Sequence, residues 1–416
     1  MTEHIPVVVI GGGQAGLATS YQLTQEGVEH AVLERARVGE TWRGRWDSFC
    51  LVIPNWFCQL PGHHYDGPDP DGFMPRDDIV GYLERYADRF KSPLREAVEV
   101  TSLQPTDGGF TLSTSSGDIS ARSVVVSTGA YQRPNRPAAA KSLPSDLAQV
   151  DVDGYRNPNV LPQGAVLVVG SGQSGCQIAE ECLEAGREVF LSCGRAPWAY
   201  RRIADHDITW WAAETGFLDA PLSSLPTPAA RFAANFQASG HGGGHDLHYR
   251  SLRAAGVMLL GHFERADGKQ VRFADDLGAS VAWGDERHVQ IMDMIRKTAV
   301  ERGMAPPNIP DPEPFDPSAP LSIDLSNIGA VVFAGGYRPN YQSWMKTPSA
   351  FDELGFPIHT EGACTDYPGL FFVGVHFLRK RKSSLLYGVG EDAAIVANQI
   401  ASSLRAGTPA RVRPPT

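Results

Sequence analysis

Pro6-Val7-Val8-Val9-Ile10-Gly11-Gly12-Gly13-Gln14-Ala15-Gly16 is the stretch on which the reading of this chain turns. A short β-branched run stops at glycines, and Gln14 to Glu26 then carries apolar residues at helical spacing, so the order is strand, turn, helix. Gly11, Gly13 and Gly16 satisfy G-x-G-x-x-G. Such glycines allow a tight turn, close approach of a pyrophosphate to backbone N–H groups, and close packing of helix on strand. Val28 to Glu34 reads as the next strand. Its last residue, Glu34, stands 18 positions after Gly16, where a carboxylate accepts hydrogen bonds from ribose hydroxyls. Arg35 beside it joins the same set of cofactor-binding residues. The apolar first strand implies a parallel sheet covered on both faces.

The pattern recurs 159 residues later as the strand Ala165 to Val169, the turn Gly170-Ser171-Gly172-Gln173-Ser174-Gly175, a helix to Glu184 and a strand ending at Ser192. The second copy differs chemically, because Ser192-Cys193-Gly194-Arg195 offers no carboxylate. An acid there would repel a 2′-phosphate, whereas Ser192 donates to it and Arg195, helped by Arg201 or Arg202, pairs with it. Ordinary surface ion pairs are the competing explanation for these arginines. The residues therefore read as an FAD site first and an NADPH site second.

The 416 residues are 42% hydrophobic and 20% charged, as in a soluble globular chain of more than one domain. Arg133-Pro134-Asn135-Arg136-Pro137 and the stretch from Tyr155 to Gly164 look like crossings between lobes, and Pro306 to Pro320 like a second extended linker. Buried strands are expected at Ala330 to Phe333 and Leu370 to Val375, and a loose tail at Arg405 to Thr416. The expected fold is α/β, with two Rossmann-like doubly wound domains. An NADPH-binding domain, 161–326, is inserted into a discontinuous FAD-binding domain, 1–160 and 327–416.

A formal net charge of −10 leaves no basic excess for a phosphate backbone, so nucleic acid is not an expected partner. No basic, apolar leader opens the chain and no apolar run approaches roughly 20 residues, so no membrane is expected either. The six cysteines, at 50, 58, 176, 182, 193 and 364, form no CxxC or CxxxxC. That pattern fits reduced thiols in a cytoplasmic protein and argues against a redox disulfide. His241, His245 and His248 have a spacing that suggests a metal, but the glycines among them make a poor ligand frame. Asp246 is expected to cap a helix beginning near Leu247, and no metal is expected. His63-His64 reads as loop.

Further segments widen the picture: Gly39-Glu40-Thr41-Trp42 through Arg45-Trp46-Asp47-Ser48, Ser127-Thr128-Gly129, Ala334-Gly335-Gly336-Tyr337-Arg338-Pro339, Gly369 to Gly374, and Leu386-Tyr387-Gly388 to Ala393. With the two glycine turns they make the chain resemble, over nearly its whole length, the flavin-containing monooxygenase-like superfamily of two-dinucleotide-binding flavoproteins. The resemblance implies that Glu40, Thr41, Trp42 and Trp46 lie along the flavin and that the Leu386 to Gly388 backbone approaches the isoalloxazine ring. It also implies that Asn55 faces the flavin C4a position and hydrogen-bonds bound oxygen. An amide that donates and accepts suits that task. A turn residue after Pro54 is the plainer reading.

One family element departs. The linker fingerprint F-x-G-x-x-x-H-x-x-x-Y, placed with its tyrosine on Tyr155, falls on Ser145, Leu147 and Asp151. The implied activity is an FAD- and NADPH-dependent monooxygenase. It would work through a C4a-(hydro)peroxyflavin and take oxygen and a small nitrogen- or sulfur-containing substrate, or a ketone. An NADPH-dependent flavin oxidoreductase without oxygen insertion, or a non-catalytic flavin-binding sensor, needs the same glycine turns. Trp56, Trp198, Trp210 and Trp211 fit either an aromatic pocket or the core, and a homo-oligomer is left open.

Overall fold

The computed structural model describes residues 2–407, so most of the expected tail lies outside the described residues. The opening stretch forms β1 (Glu3–Ile10), α1 (Gln14–Gln25) and β2 (His30–Leu33), with Val7 to Ile10 in parallel register against His30 to Leu33. β1 is buried on both sides. Val7 and Val9 enter one core cluster, while Val8 and Ile10 enter another on the opposite face. That division follows from the two-residue side-chain period of a strand.

The first sheet has nine strands. β1 also pairs in parallel with Gly117–Val126, which in turn pairs in parallel with Leu370–Phe372 near the other end of the chain. An antiparallel hairpin, Val100–Thr106 and Gly109–Thr114, is added to the same sheet. The second unit supplies β3 (Ala165–Val169), α2 (Gln173–Glu184) and β4 (Val189–Ser192). Its sheet is wholly parallel, in the order Ala148–Asp151, Ile328–Phe333, β3, β4, Met258–Leu260. In β3, Val166 and Val168 face one cluster, and Ala165, Leu167 and Val169 the other.

This sheet reaches past the expected 161–326 at both ends. Ala148–Asp151 and Ile328–Phe333, expected in the first unit, pair here. Apolar β-branched strands look alike in sequence, and only the pairing assigns them to a sheet. The crossing at Arg133–Pro134 pairs antiparallel with Tyr337–Arg338, so the chain enters and leaves the insert side by side. Pro306 to Pro320 is therefore no crossing. It is a strap on the second lobe, held where Arg250 donates to the Glu313 carbonyl and where Phe315 meets the Arg250 and Arg253 guanidinium groups. A last helix, α3 (Val389–Arg405), packs Ala393, Val396, Ala397 and Ile400 into one core with Leu17 and Ala18 of α1.

Candidate cofactor and active site

The two glycine turns are the same device built twice. Gly11 has φ +110° and Gly170 φ +106°, values a side chain would strain. Each N–H donates across to the next strand, Gly11 to the Leu33 carbonyl (2.8 Å) and Gly170 to the Ser192 carbonyl (3.1 Å). A Cβ on Gly11 would stand 2.7 Å from the Ser127 oxygen, and one on Gly170 2.6 Å from the Ala334 oxygen. Cβ atoms on Gly16 and Gly175 would overlap the carbonyls of Gly11 and Gly170, which is how each helix comes down onto its strand. The cradles themselves are open. Nothing stands within 4 Å of a Cβ on Gly13, and only Ala234 is near one on Gly172. Open N–H groups at the N-termini of α1 and α2 fit two dinucleotide pyrophosphates.

Most of the expected FAD residues meet around the first turn. Glu34 accepts from the N–H groups of Gly12 (2.7 Å) and Ala36 (3.0 Å), which holds its carboxylate at the turn, and Arg35 is exposed beside it. Gln14 donates to the Ser384 carbonyl (2.9 Å) and accepts from the Trp42 indole (3.0 Å). The turn is thereby tied to both segments expected along the flavin. Leu386 and Gly388 are buried next to α3, and Gly374 faces Ala15, with Thr128 and Gly129 following the strand beside Gly11. Glu40 pairs with Arg37 and Arg43, Thr41 is exposed, and Gly336 sits exposed at the lobe crossing.

Several expected roles change. Trp46 is only 2% exposed and makes T-shaped contacts with Phe49 and Tyr155, so protein encloses its ring. The helix Glu40–Arg43 ends before it, which separates it from Trp42. Ser192 donates to the Gly261 carbonyl and accepts from Phe263 N, leaving a buried hydroxyl committed to the sheet. Arg201 is buried in an ion pair with Asp207, donates to the Val52 carbonyl (2.7 Å), and stacks over Phe73. In the sequence nothing distinguishes a cation that has a carboxylate partner from one that lacks it. Arg195 and Arg202 are exposed, and Arg195 has no hydrogen-bond or ion-pair partner among the described residues. Of the expected phosphate ligands, Arg195 and Arg202 keep the requisite freedom.

Asn55 is buried, with Nδ2 donating to the Asp69 carbonyl (2.9 Å) and Oδ1 accepting from Met74 N (2.6 Å). The carboxamide braces the loop between those residues. The three histidines take different partners: His241 Glu184 (3.5 Å), His245 Glu180 (2.6 Å), and His248 the N–H of Ser251. His248, not Asp246, caps a helix that starts at Tyr249, because Asp246 accepts from Arg201 N instead. Trp198 and Trp211 are core, Trp198 stacked on His288 and Trp211 fully buried. Trp56 joins Phe57, Phe217 and Tyr387 in a cluster drawn from both lobes, with Phe57 and Tyr387 stacked at 4.0 Å.

All six cysteines are free. Burial pushes Cys58 up to about 12 and Cys50 and Cys182 up to about 11, so these thiols stay protonated at neutral pH.

A family model described as pyridine nucleotide-disulphide oxidoreductase matches residues 8–211. An uncharacterised CzcO-like oxidoreductase of Geobacillus kaustophilus is 33% identical over 403 residues, 96% of this chain and 99% of its own. A probable indole-3-pyruvate monooxygenase of Arabidopsis thaliana, YUCCA3, is 25% identical over 95% of this chain and 86% of its own. The solved flavin-containing monooxygenase from Stenotrophomonas maltophilia superposes with TM-score 0.68 at 19% identity, over 97% of this chain and all of that one, a likeness of fold. The chain belongs to the flavin-containing monooxygenase-like superfamily of two-dinucleotide-binding flavoproteins. It is a flavoprotein oxidoreductase, and its two open glycine turns fit FAD and a nicotinamide dinucleotide.

Proposed function

We propose that this oxidoreductase is a monooxygenase that inserts oxygen into a small nitrogen- or sulfur-containing compound or a ketone. The state of the thiols carries the reading. A disulfide reductase on this architecture passes electrons to a reactive cysteine pair, and here burial keeps Cys50, Cys58 and Cys182 protonated and unpaired. When bound, FAD supplies the route by which electrons from NADPH reach oxygen. The first glycine turn would hold its pyrophosphate, Glu34 its ribose, and Gln14 the contact between the turn and Ser384. Arg195 would pair with the 2′-phosphate of NADPH. The cluster shared by Trp56, Phe57, Phe217 and Tyr387 would keep water from the reacting centre. Among the described residues no helix is long and apolar enough to cross a membrane. A cytoplasmic site of action agrees with the free thiols.

A second reading has its own observation. Both bonds seen at Asn55 go to backbone, which leaves one N–H and one lone pair for oxygen chemistry and favours an NADPH-dependent flavin oxidoreductase without insertion. Stopped-flow mixing of NADPH-reduced protein with oxygen separates the two. A transient oxygenated-flavin absorbance, shortened by a sulfide or amine with formation of its oxide, is the expected result. Direct reoxidation yielding hydrogen peroxide with every amine, sulfide and ketone tried would establish the oxidoreductase instead.

A further inference from the structure

Arg379-Lys380-Arg381-Lys382 puts four cations in a row where the C-terminal part of the first lobe meets the insert. Three of them have acids. Arg379 pairs with Glu361 (2.5 Å) and Asp392 (3.0 Å), Lys380 with Asp219 (2.8 Å) and Glu391 (3.2 Å), and Lys382 with Asp219 (3.0 Å) and Glu391 (2.5 Å). Arg381 has neither an ion pair nor a side-chain hydrogen bond among the described residues, and its Nε is buried without a partner. The guanidinium lies over the rings of Phe217 (4.0 Å) and Phe377 (4.8 Å). Its backbone is fixed across the lobes: Arg381 N donates to the Ala220 carbonyl (3.0 Å) and Leu222 N to the Arg379 carbonyl (2.8 Å).

A half-buried cation without a counter-ion is costly, and aromatic faces offset only part of that cost. Burial draws Arg381 down to about 10, still charged at neutral pH. His376 nearby is held neutral, at about 4, by burial and then by Arg381 and Arg231. His376 Nδ1 is 3.4 Å from Ser384 Oγ, and the Ser384 carbonyl accepts from Gln14 of the first glycine turn. Phe217 belongs to the cluster with Phe57 and Tyr387. Arg381 therefore stands beside the segment that meets the flavin turn, with its Nε unused and two rings against its guanidinium.

We propose that Arg381 is the anion subsite for the substrate: the substrate carries a carboxylate that Arg381 binds through its donor fork, on an apolar body that lies against Phe217 and Phe377. This rests on the reading of the Trp56, Phe57, Phe217 and Tyr387 cluster as the surroundings of the reacting centre. A planar fork facing a carboxylate gives paired charge-assisted bonds that a neutral amide of the same shape lacks.

The test uses oxidised holoprotein titrated calorimetrically with benzoate and phenylacetate against benzamide and phenylacetamide. The acids should bind about 10- to 150-fold more tightly than the amides. Arg381→Gln should remove that difference while FAD content and NADPH affinity stay within about twofold, and Arg381→Lys should keep part of it. Equal binding of acid and amide by the unaltered protein overturns the proposal. So does an Arg381→Gln loss that falls on NADPH, which would make the subsite a phosphate site. If Arg381→Gln fails to fold with FAD, the acid-against-amide comparison and Arg381→Lys still decide. Acids that bind through Arg381 while no acid-bearing amine, sulfide or ketone tried, 4-(methylthio)benzoate among them, is oxidised would uphold the subsite and remove the monooxygenase reading alone.

Discussion

Arg201 and Asp207 form a 2.7 Å ion pair in which the side chains are 2% and 7% exposed, and the same guanidinium reaches the Val52 carbonyl of the other lobe. Asp207 also caps the helix Ile208–Glu214, accepting from Thr209 N (2.8 Å). Asp207→Asn keeps a capping acceptor and strands the arginine charge. Breaking one side of a buried pair costs about 3–5 kcal/mol, so the urea midpoint should fall steeply. Replacing both residues, Arg201→Met with Asp207→Leu, should restore much of the loss. A single variant within about 1 kcal/mol of the unaltered protein would show that the pair does not hold the lobes.

Arg195 is the free cation at the end of β4, where an NADH site would carry an acid. Arg195→Ala should cut the preference for NADPH over NADH by about 10- to 150-fold, read as the ratio of dissociation constants. An unchanged ratio would pass the phosphate to Arg202, the other exposed arginine.

Glu34 presents its carboxylate at the first turn, and Glu34→Arg replaces an acceptor with a cation. FAD should bind about 10- to 150-fold more weakly, measured as flavin retained after gel filtration at known protein concentration. Full flavin retention would contradict the ribose assignment.

Gly374 has φ +78°, and a Cβ there would stand 2.5 Å from the Cβ of Ala15 at the start of α1. Gly374→Ala should therefore lower stability by about 1–3 kcal/mol and loosen FAD together, because the strain falls on the helix that presents the turn. Thermal melts with and without added FAD would reveal both effects. Identical curves would mean that α1 moves aside freely.

Burial holds His248, His359 and His376 at about 4, against about 6.5 for an unfolded imidazole. Between those values the unfolded chain binds more protons than the folded one, so stability rises with pH there. The contribution is complete above about pH 6.5 and is lost as pH falls toward 4, on the order of 3 kcal/mol for each histidine. His245, raised by its bond to Glu180, runs the other way and loses its contribution as pH rises. Urea midpoints at pH 7 and pH 5 should differ clearly, and less so in His248→Gln. Equal midpoints for the unaltered protein would refute the account.

The two strand-turn-helix units were legible because period, glycine turn and buried strand coincide within ten residues. Trp46 was placed by the resemblance, and Ser192 and Arg201 by the missing carboxylate at the second turn, whereas the partners each one takes in the structure, Tyr155, Gly261 and Asp207, are fixed only by tertiary packing. Ile328–Phe333 was legible as a strand but not as a member of the second sheet. The antiparallel hairpin Val100–Thr106 with Gly109–Thr114 escaped notice, since Pro105 and a run of Ser and Thr weaken its alternation. Arg381 was hidden among four adjacent cations. The sequence signal is the run itself, and only the positions of Asp219, Glu361, Glu391 and Asp392 single out the unpaired one.

The interleaving of the two sheets also sets an order of events during synthesis. Every strand of the inserted sheet has been synthesised once residue 333 is made, while the first sheet still lacks Leu370–Phe372 and α1 still lacks the cover of α3. The nascent chain can therefore complete its NADPH lobe early, as a folding unit with its own core. The flavin turn, tied through Gln14 to Ser384, becomes whole only after Ser384 has emerged, later than the last strand of the inserted sheet.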